Sequence, residues 1–293
     1  MTYLLRREDS RVSDLWAYDP ATGQKKLLLR AEGEQELSPR ERADRERRRA
    51  RHRGIGRYSW NPEDGSILLP LSGDLHRLRD GALERLTETE APELGAAWSP
   101  DGRALAYVRN ANLHVRAGGE ERPLTSEGGG KVRCGLPEFI AQEELGRRCG
   151  LWWSPDSQSI AYVRTDSGGV PLFRMHDYLP WRGETVEQEY PRAGDRNVAW
   201  RLGVVPAAGG ETVWMKVQDE YLARVDWMPG GDLAVQVLNR PQTRLRLYRC
   251  DPATGESALL LEERDQDWVS LHRDLFFLED GRFTWTSERS GFR

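Results

Sequence analysis

Several things are scarce in this sequence, and each scarcity closes off a class of protein. No apolar run approaches the roughly 20 residues that a helix needs to cross a bilayer, and Met1-Thr2-Tyr3-Leu4-Leu5-Arg6 lacks the layout of a signal peptide. The expectation is a soluble, cytoplasmic chain with no membrane partner. Cysteine occurs three times, at Cys134, Cys149 and Cys250, at no metal-ligand spacing and in an odd number, which argues against a full disulfide framework. A Cys134–Cys149 pair stays open, with buried free thiols the simpler expectation. The five histidines (His52, His76, His114, His176 and His272) are scattered and form no paired ligand spacing, so no metal is expected.

Motifs of chemistry are equally sparse. There is no Gly-x-Ser-x-Gly nucleophile elbow, and Asp166-Ser167-Gly168-Gly169 lacks its first glycine. Neither a Walker loop nor a dinucleotide fingerprint is present, and no cofactor is expected. A net charge of −4 implies no general affinity for nucleic acid. The chain carries no catalytic machinery of its own that can be read here.

What is abundant is the material of strands and turns. The 293 residues include 11 Trp, 29 Gly and 16 Pro, with 38% apolar and 31% charged residues, a composition that suits many short strands better than disorder. A unit recurs: an aromatic residue, x-Pro, an acidic or glycine turn, then a strand. It reads Trp60-Asn61-Pro62-Glu63-Asp64-Gly65, Trp98-Ser99-Pro100-Asp101-Gly102, Trp153-Ser154-Pro155-Asp156-Ser157 and Trp227-Met228-Pro229-Gly230-Gly231, with a weaker copy at Phe277-Leu278-Glu279-Asp280-Gly281. The proline fixes φ, and the residue after the aspartate takes the φ > 0 position of a tight hairpin. The tryptophan is expected to plug the space between neighbouring sheets. Another turn, Asp-Pro-Ala-Thr-Gly, occurs at Asp19–Gly23 and again at Asp251–Gly255. Intervals of 38, 55, 74 and 50 residues between turn signals begin near one four-stranded propeller blade and then lengthen. An all-β propeller of roughly five to six four-stranded blades is predicted over residues 1–293 as one domain, incomplete at both ends. His76 and His114 fall at matching places in successive blades, which favours a structural role.

Three segments interrupt the repeat. Ser38-Pro39 opens a stretch with Arg40, Arg42, Arg45, Arg47, Arg48, Arg49, Arg51 and Arg53 interleaved with Glu41, Asp44 and Glu46, the pattern of a short solvated helix. The acidic interleaving weakens a nucleic-acid patch as an alternative. The Pro-rich, aromatic segment from Gly168 to Asn197 reads as an arm or hairpin leaving its blade and a candidate oligomer contact. Glu138-Phe139-Ile140-Ala141-Gln142-Glu143-Glu144-Leu145-Gly146 sets two adjacent carboxylates before the strand Leu151-Trp152-Trp153. Neighbouring side chains diverge in a strand and in a helix, so Glu143 and Glu144 can meet one target only from a short helix or bent loop; a short double-glutamate helix inserted in the propeller is predicted. That target would be a small cation with several donors, such as a protonated amine. A solvated acidic pair on a surface helix is the competing reading.

The Glu138–Glu144 segment, followed by Gly150-Leu151-Trp152-Trp153-Ser154-Pro155-Asp156, resembles the double-glutamate segment of the dipeptidyl peptidase IV family. Supporting matches are Leu37-Ser38 with the Arg-rich stretch through Gly54-Ile55, Val170-Pro171-Leu172, Tyr190-Pro191-Arg192-Ala193-Gly194, and Trp285 to Arg293. The resemblance implies an N-terminal propeller of about eight blades capping a C-terminal α/β-hydrolase domain. It implies a serine exopeptidase releasing Xaa-Pro or Xaa-Ala dipeptides from the free N-terminus of peptides. On that likeness Glu143 and Glu144 would bind the substrate α-amino group, and Arg45, Arg47 or Arg49 would close on a substrate carbonyl. The Ser, Asp and His of the family triad have no counterpart here. The expectation is therefore a piece of a longer gene product, inactive alone, which needs the missing hydrolase domain or forms a homodimer through open blade edges. A non-catalytic protein-interaction propeller is the alternative.

Overall fold

The structure, a computed structural model, describes residues 1–8, 10, 12–31, 53–178 and 183–292. The predicted Arg-rich helix, including Arg45, Arg47 and Arg49, lies outside the described residues. Within them, strands account for all regular structure except one short helix.

In the first sheet, β1 (Thr2–Arg6), β2 (Val12–Tyr18) and β3 (Lys25–Leu29) form an antiparallel meander, and β4 (Arg53–Gly54) runs parallel to β2. The second holds β5 (Ser59–Trp60), β6 (Ile67–Leu71), β7 (Asp74–Arg79) and β8 (Ala82–Arg85) in sequential order. The third repeats the pattern with β9 (Leu94–Trp98), β10 (Ala104–Arg109), β11 (Asn112–Ala117) and β12 (Glu120–Pro123). The fourth is elaborated: β13 (Val132–Cys134) and β14 (Leu151–Trp153) both pair with β15 (Ser159–Asp166), which pairs along its length with β18 (Ala199–Pro206), followed by β19 (Val213–Trp214). Helix α1 (Phe139–Glu143) lies between β13 and β14. The hairpin β16 (Leu172–Asp177) and β17 (Glu184–Glu189) stands between β15 and β18, which is the arm expected from the sequence. A regular fifth sheet follows, β20 (Tyr221–Trp227), β21 (Leu233–Leu238), β22 (Arg244–Cys250) and β23 (Ser257–Arg264), and then the short pair β24 (Phe276–Phe277) and β25 (Phe283–Thr284). Five sheets and the start of another match the predicted five to six blades.

The chain divides into two compact units, residues 1–110 with 114–121, and residues 111–113 with 122–293. In the first, Val12, Leu15 and Ile55 pack against Ile67, Leu69 and Leu78, while Leu68 and Leu75 on the other side of the second sheet meet Leu105 and Tyr107. Alternation along β6 thus supplies two cores from one strand, as expected where both faces of a sheet are covered. In the second unit, Val163, Leu202 and Val204 of the fourth sheet pack with Val225, Val235 and Val237 of the fifth.

The recurring turn has a common chemistry. Ser99 Oγ donates to Asp101 Oδ1 (2.6 Å) and accepts the Ala104 N–H (2.9 Å), and Gly102 N–H returns to Ser99 O (2.9 Å) at φ +72°. Ser154 does the same with Asp156 (2.5 Å) and the Ser159 N–H (2.9 Å), with Ser157 at φ +63° in the glycine's place. The hydrogen bond from Ser154, with backbone N–H groups behind it, holds the Asp156 carboxyl below its ordinary range. The tryptophans are less uniform than predicted. Trp98 packs on the Leu68–Tyr107 core, and Trp227 packs on the core shared by sheets four and five, with Nε1 donating to Trp152 O (3.1 Å). Trp60, by contrast, is 49% exposed; its Nε1 donates to Thr2 Oγ1 at 3.1 Å. All three cysteines are free, and Cys149 is exposed rather than buried as expected. Burial pushes the Cys134 thiol up to about 11.

Candidate substrate-amine site

The double-glutamate segment is an excursion from the edge of β15. β13 covers Arg164–Asp166 and β14 covers Ile160–Tyr162, so the chain leaves that edge after Cys134 and rejoins it at Leu151. Val163, between the two, closes the neck with both its backbone groups: Gly135 N–H donates to Val163 O (2.8 Å), and Val163 N–H donates to Gly150 O (2.9 Å). Glycine is required there. A Cβ on Gly150 would stand 2.6 Å from the carbonyl carbon and oxygen of Gly135, and Gly135 itself sits at φ +83°.

Within the excursion Glu138 acts as N-cap, its carboxylate accepting the Ala141 N–H at 2.8 Å. Ala141 and Leu145, four residues apart, face inward and are buried, and Leu145 joins Ala223, Leu238 and Leu245 of the fifth sheet. With that face fixed inward, Glu143 and Glu144 are turned to solvent. Neither carboxylate has an ion-pair or hydrogen-bond partner among the described residues. Two carboxylates at a helix C-terminus oppose its dipole, and arginines answer at the same end. Arg224 Nη1 donates to Leu145 O (2.6 Å), and Arg273 Nη2 donates to Gly146 O (2.8 Å). Arg147 is buried beneath the turn. Desolvation pushes the Arg147 and Arg224 guanidiniums down from their ordinary range, although arginine stays charged in proteins.

The arm meets the start of α1. Phe139 meets Tyr190 edge-on with ring centroids 5.3 Å apart, and Tyr190 meets Phe173 of β16 at 6.0 Å. The base of the arm is tied to β13 by Glu189, which pairs with Lys131 (2.7 Å) and Arg133 (3.3 Å). Burial raises the Glu189 carboxyl, but its bonds to Lys131 and Ser167 and the nearby cations outweigh it and leave the group below its ordinary range. Exposed carboxylates without a cation partner among the described residues, on a turn fixed at its neck, cap and end, leave their oxygens open to N–H donors.

Glu143, the last residue of α1, and Glu144, its C-cap, are therefore both exposed at one turn. Arg45, Arg47 and Arg49 lie outside the described residues. The capping role of Glu138, the Gly135–Gly150 neck and the buried Arg147 were missed from sequence. The glycines flanking the segment were the signal for the neck; nothing in the sequence marks Arg147, one of 43 cationic residues, as buried.

Comparison with known proteins gives a consistent result. Residues 72–293 match the family described as the dipeptidyl peptidase IV (DPP IV) N-terminal region. The chain is 30% identical over 208 residues to "Probable dipeptidyl-aminopeptidase B" of Emericella nidulans, covering 62% of this chain and 23% of that protein. It is 27% identical over 208 residues to dipeptidyl peptidase 4 of Trichophyton rubrum, covering 66% of this chain and 27% of that one. The chain thus spans about a quarter of the length of these curated relatives. Its fold is shared with the crystal structure of Porphyromonas gingivalis dipeptidyl peptidase 4, at a TM-score of 0.74 and 22% identity over 98% of this chain and 42% of that one. With the family matched over most of its length and the fold over nearly all of it, the chain belongs to the dipeptidyl peptidase IV N-terminal region family.

Proposed function

We propose that this chain is the substrate-recognising propeller of a serine peptidase that removes dipeptides from the free N-terminus of peptides, with Glu143 and Glu144 holding the α-ammonium group. The observation that carries this reading is the pair of exposed carboxylates, without a cation among the described residues, on a turn fixed by the neck, the Glu138 cap and the packing of Leu145. An ammonium has three donors and no acceptor, and charge-assisted bonds to two carboxylates match it. Anchoring the amine also sets how many residues reach a nucleophile held elsewhere, which would make the enzyme a dipeptidase by distance. The nucleophile would come from an α/β-hydrolase domain, in keeping with relatives about four times as long as the matched region. Arg45, Arg47 or Arg49 would approach the substrate carbonyl, and the preference would be for Xaa-Pro and Xaa-Ala.

The test is Glu143→Gln with Glu144→Gln in this chain complemented by the hydrolase domain. Losing both charges is expected to lower kcat/KM on a free-amine dipeptidyl substrate by about thirtyfold or more, since removing one side of a charge pair desolvated in the complex costs about 2–5 kcal/mol. Unchanged activity would overturn the reading. That outcome would favour a second one, an interaction propeller or homodimer joined through the arm, on which Leu172, Phe173, Met175 and Val186 are all exposed.

A further inference from the structure

Arg147 lies inside the double-glutamate excursion with its side chain only 3% exposed. A guanidinium so buried is costly unless its donors are matched, and its matches are spread in an informative way. Nε donates to Leu222 O (3.0 Å) on β20, and Nη1 donates to Cys149 O (3.0 Å), one residue before the neck glycine Gly150. Nη2 stands 3.9 Å from Oε1 of Glu138, the N-cap of α1, and the Arg147 backbone N–H donates to Ala141 O (2.7 Å) within the helix. One residue thus meets the excursion at its start, in its helix and at its exit, and fastens all three to the sheet on which it rests. It is too buried to touch a ligand.

We infer that Arg147 is the positioning residue of the amine site: it sets the place of Glu143 and Glu144 relative to β20 without contacting the substrate. The inference rests on the amine-binding reading for its consequence, but not for its geometry. A planar fork reaches two carbonyls in different directions at once, which a lysine ammonium on a flexible stem does not reproduce. Arg147→Lys keeps the charge and loses the fork; Arg147→Met loses both.

The experiment has two arms, run on the chain as it is. Amide hydrogen exchange is compared for wild type, R147K, R147M and the E143Q/E144Q double variant. In R147M, exchange at the amides of Glu144, Leu145 and position 147 is expected to accelerate at least tenfold, with R147K between, while protection in β21 and β22 is unchanged and E143Q/E144Q keeps the wild-type pattern. The second arm titrates a prolyl dipeptide amide with a free amine, and its N-acetylated counterpart, by amide chemical shifts. R147M is expected to weaken free-amine binding at least tenfold in the wild-type background and less than twofold in the E143Q/E144Q background, since it acts through those carboxylates. Unchanged exchange at the turn in R147M overturns the inference. So does loss of protection throughout the fifth sheet in both R147K and R147M, which would make Arg147 a general folding residue. Amine binding lost in E143Q/E144Q but kept in R147M overturns it while leaving the amine reading intact. Amine binding indifferent to E143Q/E144Q sinks the amine reading instead, and the exchange arm still decides Arg147.

Discussion

Gly102 and Gly231 hold the same place in two copies of the recurring turn, at φ +72° and +89°. Both pay the backbone penalty of a left-handed conformation if given a side chain, about 1–2 kcal/mol. They differ in surroundings. A Cβ on Gly102 would stand 2.6 Å from Glu63 Cβ and 2.9 Å from the Glu63 backbone nitrogen, whereas nothing lies within 4 Å of one on Gly231. Gly231→Ala is therefore expected to cost about 1–2 kcal/mol, and Gly102→Ala roughly 1–3 kcal/mol more because backbone must move. Urea denaturation of the two variants measures the difference, and equal costs would show that the Asn61–Glu63 corner yields freely. The turn itself was legible because Ser-Pro-Asp-Gly carries its own hydrogen-bond chemistry. The steric contact was not, because Glu63 lies about forty residues away in the chain and belongs to the preceding sheet.

At the scale of elements, the excursion between β13 and β14 and the arm between β15 and β18 leave the same sheet; the sequence marks the first as a short double-glutamate helix and the second as an arm or hairpin, but not the neck that closes the excursion. An inserted hairpin declares itself by length, prolines and aromatics, and Gly168 to Asn197 carries these signals. A strand split in two by an excursion has no such signature, since three-residue pieces such as Val132–Cys134 are too short to show a period. The pair Glu143-Glu144 was visible in sequence, but its exposure depends on Ala141 and Leu145 being inward, which only the fifth sheet decides. The neck makes this dependence testable. Gly150→Ala sets a methyl against Gly135 and Leu136 backbone atoms at 2.6 Å, and no rotamer relieves it. The expected result is a loss of about 1–3 kcal/mol together with faster amide exchange at Gly135 and Val163, the two donors that close the neck. Slow exchange at both, as in wild type, would mean that the excursion is held by its packing rather than by its neck.

For the molecule as a whole, stability should fall on acidification in two separate windows, because two kinds of group are perturbed in opposite senses of charge. Burial pushes the imidazoles of His76 and His114 below their ordinary range; Asp74 opposes this at His76, while at His114 Arg109 adds to it and Glu121 opposes it. A histidine depressed in the folded state is protonated first in the unfolded chain, so stability begins to drop as pH falls below about 6.5 and stops dropping once the folded-state value is passed. Carboxylates behave differently. The Arg7 hydrogen bond holds Asp14 below its ordinary range against burial, and Ser154 does the same for Asp156. Their contribution is complete above about 3.9 and is lost only as pH falls through the depressed folded-state values. Matching positions in successive blades are what couple the first window to the fold: β7 and β11 each carry a partly buried histidine, His114 stacked on Tyr107 at 5.8 Å. Replacing both by glutamine (H76Q/H114Q) is expected to flatten the drop in urea midpoint between pH 7.5 and 5.5 while leaving the drop between pH 5 and 3 in place. An equal fall from pH 7.5 to 5.5 in the double variant would assign the first window to other groups and remove the two histidines from the pH response.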